Sequence, residues 1–284
     1  MQVSILLVFY NHEKYIKECV DSIIMQEMPF DYEIIVCDDY STDLTLSIIE
    51  SSFKQAGIEN RILNRDSNVG LVKNYQKGFA ACQGDYIVIV EGDDYWTDKK
   101  RIVKLVSFMQ SHKECAMVFN STIIYNEEDG QFSYPDNTKT NDFEYIPTND
   151  LAAGKKYVGN LSACVFRNSV IKKLKPDLFD LPIADWMISM VVGQFGLIAH
   201  FHEPTSVYRR HPNGLWTQMT KKKKLRKLIY LVDVYNKYLE YKYNEEFSAY
   251  RRRLTIQLYL SNKLISYIYN IPKTGIPIVK KIFS

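Results

Sequence analysis

The chain contains no uninterrupted apolar run near the ~18 residues needed to cross a bilayer, so it is not expected to span one. A basic leader is also missing: Met1 runs straight into the apolar segment Val3 to Tyr10 and then into Asn11-His12-Glu13-Lys14. That pattern reads as a core strand and not as a secretory signal, and a cytosolic location is the expectation. Cysteine is scarce, odd in number and scattered (Cys19, Cys37, Cys82, Cys115, Cys164), with no C-x-x-C pair. This argues against a disulfide framework or a metal or redox role and for buried free thiols in a reducing compartment. Residues 9 to 14 hold no glycine, where a dinucleotide-dependent oxidoreductase needs a G-x-G-x-x-G turn after its first strand. No nucleic-acid recognition motif and no internal repeat occurs, and nucleic acid is not an expected partner.

What is present is a chain of 284 residues, 46% hydrophobic and 24% charged, enough for one large α/β domain and an appendage. The net charge of +3 conceals an asymmetry. After Trp216, residues 217–284 carry 15 Lys+Arg against 4 Asp+Glu, a net of +11, which leaves −8 for residues 1–216. Two regions follow, a domain over 1–216 and a basic C-terminal region over 217–284.

Apolar runs of strand length alternate with helix-period segments through the first half. Val3 to Val8 reads as a strand, with Tyr15/Ile16, Cys19/Val20 and Ile23/Ile24 on the helix behind it. Glu33 to Cys37 is a second strand, and Ser41 or Thr42 can cap the helix that carries Leu44, Ile48, Ile49 and Phe53. Arg61 to Asn64 is expected as a third strand, Leu71 to Cys82 as a helix stopped by Gly84, and Tyr86 to Val90 as a fourth strand covered on both faces. A helix from about Lys99 to Ser111 leads to strand Ala116 to Tyr125, where the sheet is expected to continue in antiparallel fashion, and then to a turn at Asp129-Gly130. The polar stretch Gln131 to Asp150 reads as a long loop or lid. Ser162 to Phe166 is expected as a strand, Trp186 to Phe195 as a helix, and Leu197 to Phe201 and Thr205 to Tyr208 as short closing strands. Such alternation predicts a mostly parallel sheet flanked by helices, with ligands at the carboxyl ends of its strands.

Three acidic groups fall at those ends: Asp38-Asp39, Glu91-Gly92-Asp93-Asp94, and Asp185 at the start of a late helix. Crowded carboxylates repel one another and resist desolvation, so a cation or a hydrogen-bonding ligand is needed to compensate. Oxygen ligands around a glycine that admits close backbone approach suit a hard cation, Mg²⁺ or Mn²⁺. The plainer reading is that these aspartates cap the helices that follow them.

Read together, these segments resemble the family 2 glycosyltransferases of the GT-A fold, an α/β nucleotide-diphospho-sugar transferase fold with a Rossmann-like, mostly parallel sheet. The matching residues are Val3 to Asn11 with Tyr15-Ile16 and Ser22-Ile23; Ile34 to Asp43; Asn68-Val69-Gly70; Gly84 to Ile87; and Glu91 to Trp96. The likeness continues through Gly159-Asn160 to Arg167, Asp185-Trp186 and Val207 to His211, so it covers about residues 2–216. The resemblance implies that Val8 and Tyr10 flank a nucleobase, that Asp39 accepts a hydrogen bond from it, and that Asn68 and Lys73 lie beside the nucleotide. The family's Asp-x-Asp metal motif maps onto Glu91-Gly92-Asp93. Glutamate at the first place is a departure that shifts the expected metal-diphosphate centre to Asp93 and Asp94, with Glu91 second. Asp185 takes the place of the general base, and Arg209, Arg210 and His211 the leaving-group side, His211 also completing a metal shell. The implied reaction is a single displacement with inversion, UDP being the default nucleotide and a surface glycan or lipid-linked sugar the acceptor. A catalytically inactive sugar-nucleotide-binding or scaffold protein of a polysaccharide-assembly complex is the competing reading.

The basic tail opens with Lys221-Lys222-Lys223-Lys224-Leu225-Arg226-Lys227, and Leu225, Leu228, Val232, Tyr235 and Leu239 follow at helical spacing. A second pattern uses Leu254, Leu258, Ile265 and Ile268 behind Arg251-Arg252-Arg253. Nine of the chain's 21 tyrosines lie here, and basic, aromatic, amphipathic helices suit an anionic membrane surface. That reading puts the chain at the inner face of the cytoplasmic membrane. An appendage packed on the catalytic domain, or on a second copy in a homodimer, explains the same residues.

Overall fold

The computed structural model describes residues 1–63, 66–135, 141–182 and 185–261. Its contacts divide the chain after Thr217 into two units. In the first, β1 (Val3–Phe9), α1 (Ile16–Ile24), β2 (Tyr32–Asp38), α2 (Thr45–Ala56), β3 (Arg61–Ile62), α3 (Leu71–Ala81) and β4 (Tyr86–Glu91) alternate as the apolar pattern requires. There follow β5 (Tyr95–Trp96), α4 (Arg101–Ser111), β6 (Cys115–Asn126), β7 (Gln131–Ser133), β8 (Phe143–Tyr145) and α5 (Thr148–Ala152). The unit closes with β9 (Cys164–Arg167), α6 (Asn168–Ile171), α7 (Asp185–Val192) and β10 (Leu197–Arg210).

Every residue of β1 is buried, because helices cover both faces of the sheet there. With period 2, Val3, Ile5, Leu7 and Phe9 face one layer, where they meet Ile16, Cys19, Val20 and Ile23 of α1, Ile49 and Phe53 of α2, and Ile102 and Leu105 of α4. Leu6 points the other way, onto Gly78 of α3. Each such side chain taken fully from water contributes roughly 1.5–3 kcal/mol, so these two layers fix the register of the strands between them.

The sheet order is β3-β2-β1-β4-β9-β6-β10-β5, with β7 on β6 and β8 on β10. The first four strands are parallel, as expected. The change of direction comes from β9, which inserts antiparallel between β4 and β6. That leaves β6 running in the same direction as β4, and β10 is parallel to β6. Strand directions stay mostly parallel, while the pairings beyond β4 are mostly antiparallel, as expected: β9 on β4 and β6, β7 on β6 across the Asp129-Gly130 turn, and β5 and β8 on β10.

Several local expectations are corrected. The two short closing strands are one, β10, whose pairing slips around Pro204. Proline offers no amide to the ladder, and the strand bulges past it without ending. Described residues of the stretch 131–150 form β7, β8 and α5 and are not an unstructured lid; residues 136–140 of that stretch lie outside the described residues. Asn64, expected in the third strand, also lies outside them. Neither Ser41 nor Thr42 caps α2. Asp43 takes its first amide, Thr45 N, at 3.0 Å, while the Ser41 hydroxyl turns back to Asp38 (2.6 Å).

In the second unit, α8 (Lys221–Tyr238) and α9 (Asn244–Leu260) pack on each other. Leu225, Leu231, Val232 and Tyr235 of α8 and Phe247, Tyr250 and Leu254 of α9 are buried, and Arg251 pairs with Asp233 at 2.7 Å. Ile265 and Ile268 lie outside the described residues. No helix among the described residues is long and apolar enough to cross a membrane.

Gly84 sits where β4 begins against β1: a Cβ there would lie 2.6 Å from Ser4 N and Val3 C, backbone atoms that cannot yield. Gly84→Ala is expected to lower stability by about 1–3 kcal/mol, the usual cost of overpacking. Urea unfolding followed by circular dichroism measures it, and an unchanged midpoint would contradict this placement.

Candidate active site

Strand register brings the acidic groups together. Phe9 pairs with Asp38 and Val8 with Glu91, so the carboxyl ends of β1, β2 and β4 open at one level. The loops leaving β1 and β2 are knitted to each other: Asn11 N donates to Ser41 Oγ (3.0 Å), Thr42 N to Asn11 Oδ1 (2.8 Å), and His12 N to Thr45 Oγ1 (2.8 Å). Asn11 and Tyr40 hold left-handed backbone, φ 53° and 69°, within this mesh. Non-glycine residues keep that conformation only where surrounding bonds enforce it.

After β4, Gly92 lets the chain turn beneath the first loop. A Cβ on it would stand 2.7 Å from Phe9 Cβ and 2.9 Å from His12 Nδ1. The turn gathers Glu91, Asp93 and Asp94, each offering an oxygen within 4.8 Å of the others. Burial, then repulsion from Asp185, Asp93 and Asp94, pushes the Glu91 carboxyl well above its ordinary range. Burial, then the Asp93 charge, does the same to Asp94. Burial acts upward on Asp93 too, but the His211 hydrogen bond and the nearby imidazoles outweigh it and hold that carboxyl low. His211 Nε2 lies 3.0 Å from Asp93 Oδ2, and His12 Nδ1 lies 3.9 Å from Asp93 Oδ1. Burial also lowers the His12 pKa, which favours the neutral ring.

Ser162, in a short 3-10 turn before β9, ties this cluster to the interior. Its hydroxyl donates to Asp94 Oδ2 (2.6 Å) and accepts from Glu91 N (3.0 Å). Its carbonyl accepts from Trp96 Nε1 (2.8 Å) and Arg101 Nη2 (3.2 Å). Asn160 Nδ2 also donates to Asp94 Oδ2, and Arg209 N to Oδ1 at 3.0 Å. Tyr75 of α3 donates its hydroxyl to Glu91 Oε1 at 2.8 Å. Trp96 and Arg101 close the network beneath, the guanidinium 4.7 Å from the indole ring.

The structure brings Glu91, Asp93, Asp94 and His211 into one centre, with Asp185 near enough for its charge to act on Glu91 and Asp94. Asp185 is the first residue of α7 and half-buried. Asp94 differs from the expectation. Three donors occupy its two oxygens, leaving about one of roughly four lone-pair positions, so it anchors the turn and Asp93 is the more available carboxylate. Arg209 is also corrected: its guanidinium pairs with Glu18 and lies 5.1, 5.4 and 5.3 Å from the rings of Tyr15, Tyr95 and Tyr125. Its charge is spent inside this aromatic cage, whereas Arg210 is exposed. Asp39 accepts from Val69 N (2.9 Å) and Gly70 N (2.8 Å), fastening the turn before α3. Val8 is buried, Tyr10 and Asn68 are exposed, and Lys73 pairs with Asp180 at 2.5 Å.

His12, Tyr75, Asn160 and Ser162 were not singled out from the sequence as site residues. Asn160 and Ser162 stood in a segment of the family resemblance; His12, in the loop after β1, and Tyr75, on α3, carry no local signal and reach the cluster only through the fold.

Comparison with known proteins gives the family and the fold. The family model described as glycosyl transferase family 2 matches residues 4–175. An uncharacterised protein of Mycobacterium tuberculosis is 32% identical over 75% of this chain and 60% of its own length. The chain thus spans about 60% of that relative. An uncharacterised glycosyltransferase of Haemophilus influenzae is 30% identical over 74% of this chain and 66% of its own. Among solved structures, Staphylococcus aureus TarS with UDP-GlcNAc superposes with TM-score 0.62 at 18% identity, covering 82% of this chain and 66% of that one. The mannosyltransferase PcManGT from Pyrobaculum calidifontis, with GDP-Man and Mn²⁺, gives 0.60 at 13% identity over 94% of this chain and 78% of that one. These likenesses give the fold as GT-A.

The residues fit the divalent cation that this fold implies. Beside the three carboxylates, the Nδ1 atoms of His12 and His211 are buried and lack a hydrogen-bond partner among the described residues. Saturating Mn²⁺ is expected to raise the melting temperature of the wild-type chain, by the equivalent of about 2.7 kcal/mol at a hundredfold excess over Kd. Asp93→Asn should abolish most of that rise in differential scanning fluorimetry. Equal shifts in the two proteins would contradict a cation centre at Asp93.

Proposed function

The chain belongs to glycosyl transferase family 2, and from that premise we propose that it moves a sugar from a nucleoside-diphosphate donor to an acceptor hydroxyl with inversion at the anomeric carbon. The observation that carries the reading is the convergence of Glu91, Asp93, Asp94 and His211 at the strand ends with Asp185 in electrostatic reach. One acidic face suits a diphosphate held through a cation; the separate carboxylate suits a base.

Binding of the donor is assigned to the first two loops. Val8 and the exposed Tyr10 flank the base, and Asp39, already fastening the turn at Asn68-Val69-Gly70, keeps lone pairs for it. Lys73 lies on the helix that this turn opens. UDP is the expected nucleotide, supported by the TarS complex with UDP-GlcNAc. Asp93 first, with Glu91, Asp94 and His211 around it, would hold Mn²⁺ or Mg²⁺, which supplies positive charge to the departing diphosphate.

The remaining chemistry belongs to the chain. Asp185, at the positive end of α7, accepts the proton of the acceptor hydroxyl as its oxygen bonds to the anomeric carbon. The bond from that carbon to the phosphate oxygen breaks in the same step, and the electron pair leaves with the nucleoside diphosphate. One displacement of this kind inverts the centre. Arg210 and the His211 ring stand on the leaving-group side, while Arg209 keeps β10 in place through Glu18 and its three tyrosines. The basic helices α8 and α9 support contact with the inner face of an anionic membrane, where lipid-linked acceptors and growing surface glycans lie.

Slow donor hydrolysis tests the reading without an acceptor. Nucleoside diphosphate release from a panel of nucleotide sugars with Mn²⁺ should select one donor and vanish with EDTA. Asp185→Asn should retain donor binding by calorimetry while release falls about 10²–10⁴-fold, the usual share of a general base. Full activity in that variant would remove Asp185 from its role; no release and no binding with any donor would overturn the function.

A further inference from the structure

The network beneath the carboxylate turn ends on a charge that stability alone does not explain. Arg101, the first residue of α4, is fully buried, and no carboxylate pairs with it among the described residues. Taking an ion out of water without a counter-ion is costly, and a well-packed apolar side chain in such a place is often as stable or more so. The position adds to the cost, since the first turn of a helix disfavours a cation. Burial lowers the pKa of the guanidinium to about 9, against the fields of Cys164 and Asp98, so the group stays protonated at neutral pH.

What the guanidinium touches leads twice to the same carboxylate. Nη2 donates to Ser162 O (3.2 Å), which Trp96 Nε1 also holds (2.8 Å). The hydroxyl of that serine donates to Asp94 Oδ2 (2.6 Å) and accepts from Glu91 N (3.0 Å). Along the second route, Nε donates to Asn120 Oδ1 of β6 (2.9 Å), and Asn120 Nδ2 donates to Ser206 Oγ of β10 (2.8 Å). Three residues farther along β10, Arg209 N donates to the other oxygen, Asp94 Oδ1 (3.0 Å). The planar fork of one guanidinium, 4.7 Å from the Trp96 ring, thus sets the spacing between the turn before β9 and the β6–β10 pair. Those two parts of the chain hold both oxygens of Asp94. Asp93 adjoins Asp94, so the direction in which it presents its own oxygens follows from how Asp94 is held.

We propose that Arg101 is a positioning residue for the candidate active site: out of reach of any ligand, it acts through Ser162 and Asn120 to hold the Asp94 turn in the geometry that presents Asp93. This rests on the reading of that centre as a cation and diphosphate site. Lysine cannot take the place, because an ammonium is a compact point charge without a planar pair of donors or a face to stack on the indole.

The test compares Arg101→Met, Arg101→Lys, Ser162→Ala and the double variant Arg101→Met with Ser162→Ala in the full chain. Melting temperature reports stability, and calorimetric titration of UDP with and without Mn²⁺ reports the centre. Arg101→Met should melt close to the wild type yet bind UDP in Mn²⁺ at least about tenfold more weakly, with UDP affinity in the absence of metal unchanged. Arg101→Lys should show the same loss, and it carries the test alone if Arg101→Met does not fold. Ser162→Ala should lose affinity comparably, and the double variant no more than the larger single loss, because residues in one hydrogen-bond chain are not additive. Wild-type affinity in either folded Arg101 variant, a loss equal with and without Mn²⁺, or losses that multiply in the double variant would each overturn the proposal and leave the function standing. A wild-type chain that binds no UDP would overturn the function and this proposal with it.

Discussion

Like charge gathered at the end of a buried sheet is the constraint on which the rest of this structure depends. Glu91, Asp93 and Asp94 are close enough to share one ion, and Asp185 adds its field. Burial and repulsion raise the pKa of Glu91 and Asp94, so holding them ionised opposes folding at neutral pH. Donors from distant parts of the chain offset this: Tyr75 from α3, Asn160 and Ser162 from the turn before β9, the Arg209 amide and the His211 ring from the end of β10. Under the proposed function, a donor diphosphate with its cation would supply further positive charge there.

Strand β10 links the functional parts. Its bulge at Pro204 keeps one long strand on β6. Near one end, Arg209 and His211 serve the acidic turn, and Arg209 is fixed by Glu18 and three tyrosine rings. A guanidinium held in this way cannot swing toward a leaving group. Its contribution is to fix the strand that carries the imidazole.

Much of this was legible in the sequence. The continuous apolar runs of β1 and β4 announced a sheet covered on both faces, and acidic residues directly after strands announced where the carboxylates meet. The family resemblance supplied the fold, and the match over residues 4–175 agrees with it. What was not legible depends on pairing between residues far apart in the chain. β9 inserts antiparallel between β4 and β6, and nothing in Cys164 to Arg167 says which neighbours it will take. Ser162 is an ordinary serine until β9 carries it beneath Glu91 and Asp94. His12 lies in a polar loop whose burial comes from Gly92 passing close by. Arg209 read as a free cation because the three rings that enclose it come from α1's leading turn, β5 and β6.

The central claim is that the carboxylate turn binds a nucleoside diphosphate through a divalent cation. Calorimetric titration of UDP into the EDTA-treated chain, with and without Mn²⁺, tests it most directly. The account predicts UDP binding that strengthens at least tenfold, about 1.4 kcal/mol, when Mn²⁺ is present. UDP affinity indifferent to the metal, or no UDP binding in either condition, would contradict it.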